Sequence, residues 1–479
     1  MSAPTRRARG RAPLPARDEL GHAVDRASGA RPIGGNRLEH HPDSARALEA
    51  MLEQIATARR AVHFENYIIR DDRTGRRFAE ALAERARAGV AVRVLYDALG
   101  SIGTSHRYWR HLAQAGAQVR AFHPLLSGHP LDLVVRDHRK LLVTDGTRAI
   151  LGGLCIGDEW AGDPARHRRP WRDTMVGVCG PGAAALDRAF ARIWRRAGGE
   201  LPSDEPVTDP EPCGTSIARM VEGVPGQARV YRAVQLLAAA AAERLWITDA
   251  YLIAPPPLYA SLLDAARDGV DVRVLVPGTS DLPVLRNFTR VGYRELLRAG
   301  VRIFEYQGPM IHAKTMLVDH RWARVGSSNL NVSSLLTNYE LDLVAECEGL
   351  TGELAAQFRR DLAASREIVL QARRVPLPPR LVGAPATGRG DAAERPGTRH
   401  KRSGYELGAV AVVALRRVAG GLRRAIAVTA ALTLAGVGGL LLAFPRIMSI
   451  VLAAGTFWLA IGFGLYALER RRTREPDDD

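Results

Sequence analysis

The sequence predicts an α/β fold made of two duplicated αβα repeats, with the active site at their pseudo-twofold interface and a two-helix transmembrane hairpin at the C-terminus. Three observations predict it. Four landmarks recur in one order about 174 to 184 positions apart, which is the signature of an internal duplication. Within each copy, helical and strand-like apolar periods alternate, which implies a largely parallel sheet covered by helices. Two uncharged runs, Ala425 to Phe444 and Ile447 to Leu468, close the chain around a single Pro445-Arg446 break.

The first landmark pairs ARRAVHFENYII (Ala58 to Ile69) with AERLWITDAYLI (Ala242 to Ile253), and the second pairs RAGVAVRVLY (Arg87 to Tyr96) with RDGVDVRVLV (Arg267 to Val276). The third sets LAQAGAQVRAF (Leu112 to Phe122) beside LLRAGVRIFEY (Leu296 to Tyr306). Segments such as FAEALAERARAG carry a helical apolar period and end on a glycine stop; VAVRVLYD is a short β-rich run. Each half therefore reads as helix and strand three times over, then a hairpin. A cleft between two such halves is where a pocket is expected.

Charge sorts the rest of the chain. The formal net charge is +16, but Met1 to Arg37 holds eight arginines against three acids and residues 371 to 479 hold 17 basic against eight acidic residues. The segment between is nearly neutral, which disfavours a duplex-binding enzyme and suits basic tails on an anionic membrane surface. Residues 1–37 read as a disordered basic arm without an apolar signal segment. The repeats are assigned to 38–200 and 215–372, joined by a linker at 201–214. A Pro/Gly/Ala-rich tether follows at 373–404, then a juxtamembrane amphipathic helix at 405–424, the hairpin at 425–470 and a charged tail at 471–479. Arginines flank both runs on one side, so the positive-inside rule places the catalytic part on the cytoplasmic face of a bacterial inner membrane. Four cysteines without a Cys-x-x-Cys pair read as unpaired thiols of a reduced compartment, with no zinc site.

The fourth landmark carries the chemistry. HRKLLVTD (His138 to Asp145) and HAKTMLVD (His312 to Asp319) share the spacing His-x-Lys-x4-Asp, and they use two of the three lysines in the chain, Lys140 and Lys314. One such spacing arises by chance at roughly the percent level; two at matching places in a duplication do not. A neutral imidazole can act as nucleophile and a protonated one as general acid, while a lysine is a compact charge for phosphoryl oxygens. A carboxylate on the far ring nitrogen fixes the tautomer. Two facing sets suit in-line displacement at phosphorus, and the design calls for no metal and no cofactor. In the second half Ser327 and Asn329 sit two apart on the next strand as further donors; Gly153 and Cys155 take their places in the first.

These residues resemble the phospholipase D superfamily from about Gly35 to Val369, and YDALGS (Tyr96 to Ser101), GGLCIGDEW (Gly152 to Trp160) and WRDTMVGVCGPGA (Trp171 to Ala183) look most like bacterial cardiolipin synthases. The resemblance implies two phospholipase D-like repeats and transfer of a phosphatidyl group through a phosphohistidine, with phosphatidylglycerol as the expected substrate. Carried onto this sequence, His138 and His312 are the nucleophile and acid/base pair, with His138 favoured as nucleophile, and Lys140 and Lys314 bind phosphate. Asp145 and Asp319 complete the motif or brace its turns. Asp173 and Glu340 stand where the family places histidine-orienting carboxylates. Glu65, Asp97 and Asp249 are lesser candidates among the acids and read more readily as solvated strand ends. Cys155 departs from the family's usual asparagine and Met175 from a frequent histidine.

The leading expectation is thus a cardiolipin synthase-type phosphatidyltransferase condensing two phosphatidylglycerols. A hydrolase releasing phosphatidic acid differs only in using water as acceptor. A nuclease of the same superfamily is disfavoured by the neutral core. A catalytically weak lipid-binding scaffold is the alternative of another class.

Overall fold

The computed structural model describes residues 19–124, 134–201 and 210–370. In the first half, α1 (Glu19–Ser28) and β1 (Ile33–His41) precede α2 (Ser44–Ala56), β2 (Ala61–Asn66), α3 (Arg73–Arg87), β3 (Ala91–Asp97), α4 (His106–Gln114) and β4 (Gln118–Phe122). β5 (Lys140–Thr144), β6 (Arg148–Gly152), the short α5 (Asp158–Ala161), β7 (Met175–Cys179) and α6 (Pro181–Arg196) complete it. The second half runs β8 (Ser216–Gly223), α7 (Arg229–Ala239), β9 (Arg244–Thr248), α8 (Pro256–Arg267), β10 (Asp271–Pro277), α9 (Pro283–Val291), α10 (Tyr293–Ala299) and β11 (Arg302–Tyr306). It ends with β12 (Thr315–Val318), β13 (Trp322–Gly326), a π-helical turn at Ser333–Thr337, β14 (Glu340–Glu346), α11 (Glu348–Ala363) and β15 (Ser365–Ile368).

The sequence fixes these elements locally. α3 starts where the Asp72 side chain accepts the Gly75 amide at 2.8 Å, buries Phe78, Ala79, Leu82 and Ala83 along one stripe, and gives way at Gly89, whose φ of +83° suits a glycine. α1 and β1 begin inside the segment assigned to the basic arm. α1 reaches across to the second half, where Asp25 meets Arg219 at 2.6 Å and Val24 joins the core.

All fifteen described strands hydrogen-bond in one sheet, ordered β15-β11-β10-β9-β12-β13-β14-β8-β1-β7-β6-β5-β2-β3-β4. Read outward from the antiparallel β1–β8 pair, each half repeats one order: β1-β7-β6-β5-β2-β3-β4 and β8-β14-β13-β12-β9-β10-β11, with β15 added at one edge. β2, β3 and β4 are mutually parallel, as are β9, β10 and β11, while the hairpin strands run against them. Both sheet faces are buried. Alternate residues of β5 and β12, Leu141, Val143 and Leu317, enter a core shared between the halves under α6 and α11. Their neighbours Leu142, Met316 and Val318 face the separate core of each half. This is why the strands read as continuous apolar runs.

Two expectations are corrected. The transmembrane hairpin is not supported: among the described residues no helix is long and apolar enough to cross a membrane. The longest described helices, α6 and α11, have 16 residues, about 24 Å against a hydrocarbon core of about 30 Å. Residues 371–479, with the tether, the juxtamembrane helix, the hairpin and the tail, lie outside the described residues, as does most of the linker at 202–209. The inner-membrane placement rested on that hairpin and is withdrawn with it. The second correction concerns the cysteines. Cys179 and Cys213 form a disulfide with a Cα–Cα distance of 6.3 Å, 34 positions apart in sequence. β1 makes the pairing possible, because Arg37 is opposite Cys179 while the neighbouring Gly35 carbonyl accepts the Cys213 amide.

Candidate active site

Strand register brings the two motifs to one end of the sheet. In the first half Asn66, the last residue of β2, is opposite Lys140, the first of β5; in the second, Thr248 at the end of β9 is opposite Thr315 at the start of β12. Each histidine thus lies beside the C-terminal ends of parallel strands. The halves then bridge. The His138 amide donates to the Tyr339 carbonyl at 2.9 Å and the Tyr339 amide to the Arg136 carbonyl at 2.8 Å. In the symmetric place the His312 amide donates to the Arg172 carbonyl at 2.7 Å and the Arg172 amide to the Met310 carbonyl at 2.8 Å.

Glu340 follows Tyr339, and Asp173 follows Arg172, so each bridge sets a carboxylate against the histidine of the opposite half. His138 Nδ1 lies 3.0 Å from Glu340 Oε1 and 3.1 Å from Oε2; His312 Nδ1 lies 2.7 Å from Asp173 Oδ2. A carboxylate at Nδ1 holds the proton there and leaves Nε2 as the reactive nitrogen. Glu340 also accepts from the Ser327 hydroxyl, and Asp173 from the Trp160 indole at 3.1 Å and the Thr174 amide at 2.8 Å. Trp160 thus does for Asp173 what Ser327 does for Glu340. A Cβ on Gly153, the counterpart of Ser327, would collide with the Asp173 carboxylate.

The lysines are fully buried and fold back onto their own motifs. Lys314 Nζ lies 2.9 Å from His312 Nε2 and donates to the His312 carbonyl; Lys140 donates to the His138 carbonyl and stands 5.0 Å from the centre of the Tyr67 ring. Burial pushes the Lys314 ammonium down to about 8, against the pull of Asp173. Burial also lowers both imidazoles: His312, with Lys314 adding to the effect, falls to about 4, and His138 moves the same way against Glu340. Burial opposes ionisation of Asp173 and Glu340, yet the facing histidine, the nearby lysine and the hydrogen bonds from Thr174 and Ser327 together hold each carboxyl below its ordinary range. The resting site is two neutral imidazoles and two carboxylates beside two buried lysines, set to receive an anion.

Other predicted residues stand differently. Asn329 is buried with its amide 3.5 Å from the Ser334 hydroxyl. Cys155 holds its counterpart position, buried, with its thiol pushed up by burial against the influence of Lys140 and Lys314. Met175 packs in the core of the first half, its sulfur facing the Leu154 amide at 3.4 Å. Asp145 and Asp319 are not with the histidines. They lie past the far ends of β5 and β12 at φ +53° and +50°. Asp145 accepts the amides of Arg59, Arg60 and Ala61, and Asp319 those of Ala242, Glu243 and Arg244, at 2.7–3.3 Å.

Glu65, Asp97 and Asp249 are buried rather than solvated. Asp97 takes Arg136 and the Leu99, Gly100 and Asp137 amides; Asp249 takes the Tyr251 and Leu330 amides; Glu65 faces Arg139 at 3.3 Å. They tie the loops of the catalytic end together. Sequence reasoning missed the aromatic lining: Tyr67 against His138 at 4.8 Å between ring centres, and Trp160, Trp171 and Tyr251 around His312 at 5.5, 6.0 and 6.1 Å. The signal was present, since Tyr67 and Tyr251 are the matched tyrosines of ENYII and DAYLI. Among the described residues no group of three or more His, Cys, Asp or Glu is arranged to hold a metal ion.

Comparison with known proteins agrees with this geometry. Residues 51–158 and 234–362 match the family model described as cardiolipin synthase, PLD-like domain. The chain is 35% identical over 349 residues to a cardiolipin synthase A of Pseudomonas aeruginosa, covering 71% of this chain and 70% of the relative. It is 37% identical over 327 residues to a cardiolipin synthase A of Pseudomonas fluorescens, covering 67% of each. A phosphatidylserine synthase structure from Haemophilus influenzae superposes with a TM-score of 0.57 over 73% of this chain and 92% of that one, at 13% identity, and so shares the fold.

Proposed function

The chain belongs to the phospholipase D superfamily and is an enzyme of phosphatidyltransferase type, and from that premise we propose that it is a cardiolipin synthase-type transferase condensing two phosphatidylglycerols. One observation carries the reading. Each imidazole is held at Nδ1 by a carboxylate of the other half, and each lies within the electrostatic influence of both lysines.

In this reading the phosphate of the first lipid lies between the histidines, its oxygens on Lys140 and Lys314. His138 Nε2 attacks phosphorus and the phosphorus–oxygen bond to the glycerol headgroup breaks, while His312 as imidazolium gives its proton to the leaving oxygen. His312, now neutral, takes the proton of the second phosphatidylglycerol's headgroup hydroxyl. That oxygen attacks phosphorus and His138 leaves. The products are cardiolipin and glycerol. Contact between Lys314 and His312 Nε2 in the resting site supports giving His138 the nucleophile's role. Glu340 and Asp173 stabilise the imidazolium that forms at each step.

The test is product analysis by thin-layer chromatography and mass spectrometry, with phosphatidylglycerol vesicles, the full chain, and the His138→Ala and His312→Ala variants. Cardiolipin with released glycerol, lost in both variants, is the expected result. Phosphatidic acid alone would make the enzyme a hydrolase, and no product from any phospholipid would favour the scaffold.

A further inference from the structure

The two halves differ beside their matched tyrosines. Ile69, two residues past Tyr67, is 1% exposed, and its amide donates to the Ser101 hydroxyl at 3.0 Å. Ile253, in the same place past Tyr251, is 36% exposed. The second half has two helices, α9 and α10, where the first has α4 alone. Between α8, α9 and α10 an apolar cavity of ≈ 200 Å³ opens, lined by Leu252, Ile253, Tyr259, Phe288, Val291 and Leu296 among others. Phe288 and Val291 at its mouth are 54% and 79% exposed. An apolar lining that opens to water in this way is a surface awaiting an apolar ligand.

The chain links the cavity wall to the catalytic centre through Tyr251. Tyr251 stands 6.1 Å from the His312 ring, and its hydroxyl donates to Asp281 at 2.7 Å, just ahead of α9. The next two residues of the chain, Leu252 and Ile253, are already cavity wall. Ile253 is fixed there by its amide on the Leu330 carbonyl at 3.2 Å, one residue from Asn329. The volume is below the roughly 300–1,000 Å³ of pockets that enclose a whole small molecule. It fits a segment of hydrocarbon chain, not a charged headgroup.

We propose that this cavity receives an acyl chain of the phospholipid whose phosphate lies between His138 and His312, so that the donor lipid enters along the second half. The proposal rests on the phospholipid substrate proposed above. A buried methylene contributes about fourfold in affinity, so two or three of them carry a preference of ten to a hundredfold for a chain-bearing substrate.

Two measurements on the full chain decide it. In the first, phosphatidylglycerol with a photoreactive diazirine in one acyl chain is irradiated with the protein and the label mapped by mass spectrometry. Label in residues 252–262 and 285–303 is expected; label found only elsewhere overturns the proposal. In the second, the Phe288→Glu/Val291→Glu variant, altered only at exposed positions, is compared with the unaltered chain. The substrates are monomeric dihexanoyl phosphatidylglycerol, below its micelle concentration, and the chain-free diester glycerophosphoglycerol. A loss of kcat/KM of tenfold or more on the first, with less than twofold change on the second, is expected. Equal effects on both, or an effect that appears only with vesicles and marks the patch as a surface-docking site, overturn it. Label in the cavity without formation of cardiolipin would keep the chain site and remove the synthase reading.

Discussion

Glu340 and His138, 202 positions apart, meet across the pseudo-twofold interface with 3.0 Å between Oε1 and Nδ1. Asp173 and His312 repeat the relationship in the other direction at 2.7 Å. Neither half therefore contains a complete site. Each supplies an imidazole, a lysine and the carboxylate that orients its partner's imidazole. On the proposed mechanism the duplication is needed for the chemistry and does more than double the fold.

Crossed orientation makes a direct prediction. Glu340→Gln and Asp173→Asn keep the size of each side chain but present an amide to Nδ1 and remove the charge that stabilises an imidazolium. Each should lower kcat by roughly 10²–10⁴-fold with little change in thermal midpoint. Steady-state rates with phosphatidylglycerol and a thermal melt of each variant check it; a change under fivefold would remove the orienting role.

The pH dependence follows from the burial of His312. In the free protein burial and Lys314 hold it at about 4, so imidazolium is lost as pH rises through that value. A bound phosphodiester anion favours the charged form and raises it. The basic limb of kcat/KM, which reports free enzyme, should lie below the ordinary histidine value of 6.5, and that of kcat should lie higher. Lys314→Gln removes a cation and should move the kcat/KM limb upward in whatever activity remains. Full pH–rate profiles test both signs.

The motif aspartates should prove structural. Asp145→Ala leaves the amides of Arg59, Arg60 and Ala61 without their acceptor, and Asp319→Ala does the same to Ala242, Glu243 and Arg244. Each should cost about 1–2 kcal/mol, read as a lower denaturant midpoint, while kcat at a permissive temperature stays within a few-fold. Asn keeps an acceptor oxygen and tolerates the positive φ, so Asp145→Asn should recover much of the loss. A hundredfold fall in kcat with unchanged stability would put these residues back in the chemistry.

Cys155 offers a gain. It occupies the position that Asn329 fills in the second half, within the influence of both lysines. Cys155→Asn adds an amide donor there, and one hydrogen bond to a bound anion should tighten inhibition by inorganic phosphate by about three- to tenfold. Competitive inhibition constants for the two forms measure it, and weaker inhibition would mean that the buried site cannot admit the amide.

The repeated His-x-Lys-x4-Asp spacing and the duplicated landmarks made the two-repeat α/β fold, both histidines and both lysines legible in the sequence. The carboxylates Asp173 and Glu340 were found through resemblance, because their partners lie 139 and 202 positions away and no local period records that distance. β1 was hidden by polar residues and two glycines, IGGNRLEHH, since its strand character comes from pairing with β7 and β8. Glu65, Asp97 and Asp249 were misjudged as solvated because the loops that bury them are assembled from distant segments. The disulfide was illegible for the same reason: β1 supplies the proximity of Cys179 and Cys213. Apolar run length suggested a membrane span, and no described helix has the length or apolar character of one.

The most direct test of two histidines acting on one phosphorus is to trap the covalent species. Phosphatidylglycerol labelled in its phosphate would be mixed with the full chain, quenched in alkali so that a phosphohistidine survives, and the labelled peptide sequenced by mass spectrometry. The mechanism predicts label on His138, none in His138→Ala, and a slower rise of label in His312→Ala, where the leaving glycerol gets no proton. Label on His312 in place of His138 would reverse the assignment, and turnover to product without any labelled histidine would contradict the covalent mechanism itself.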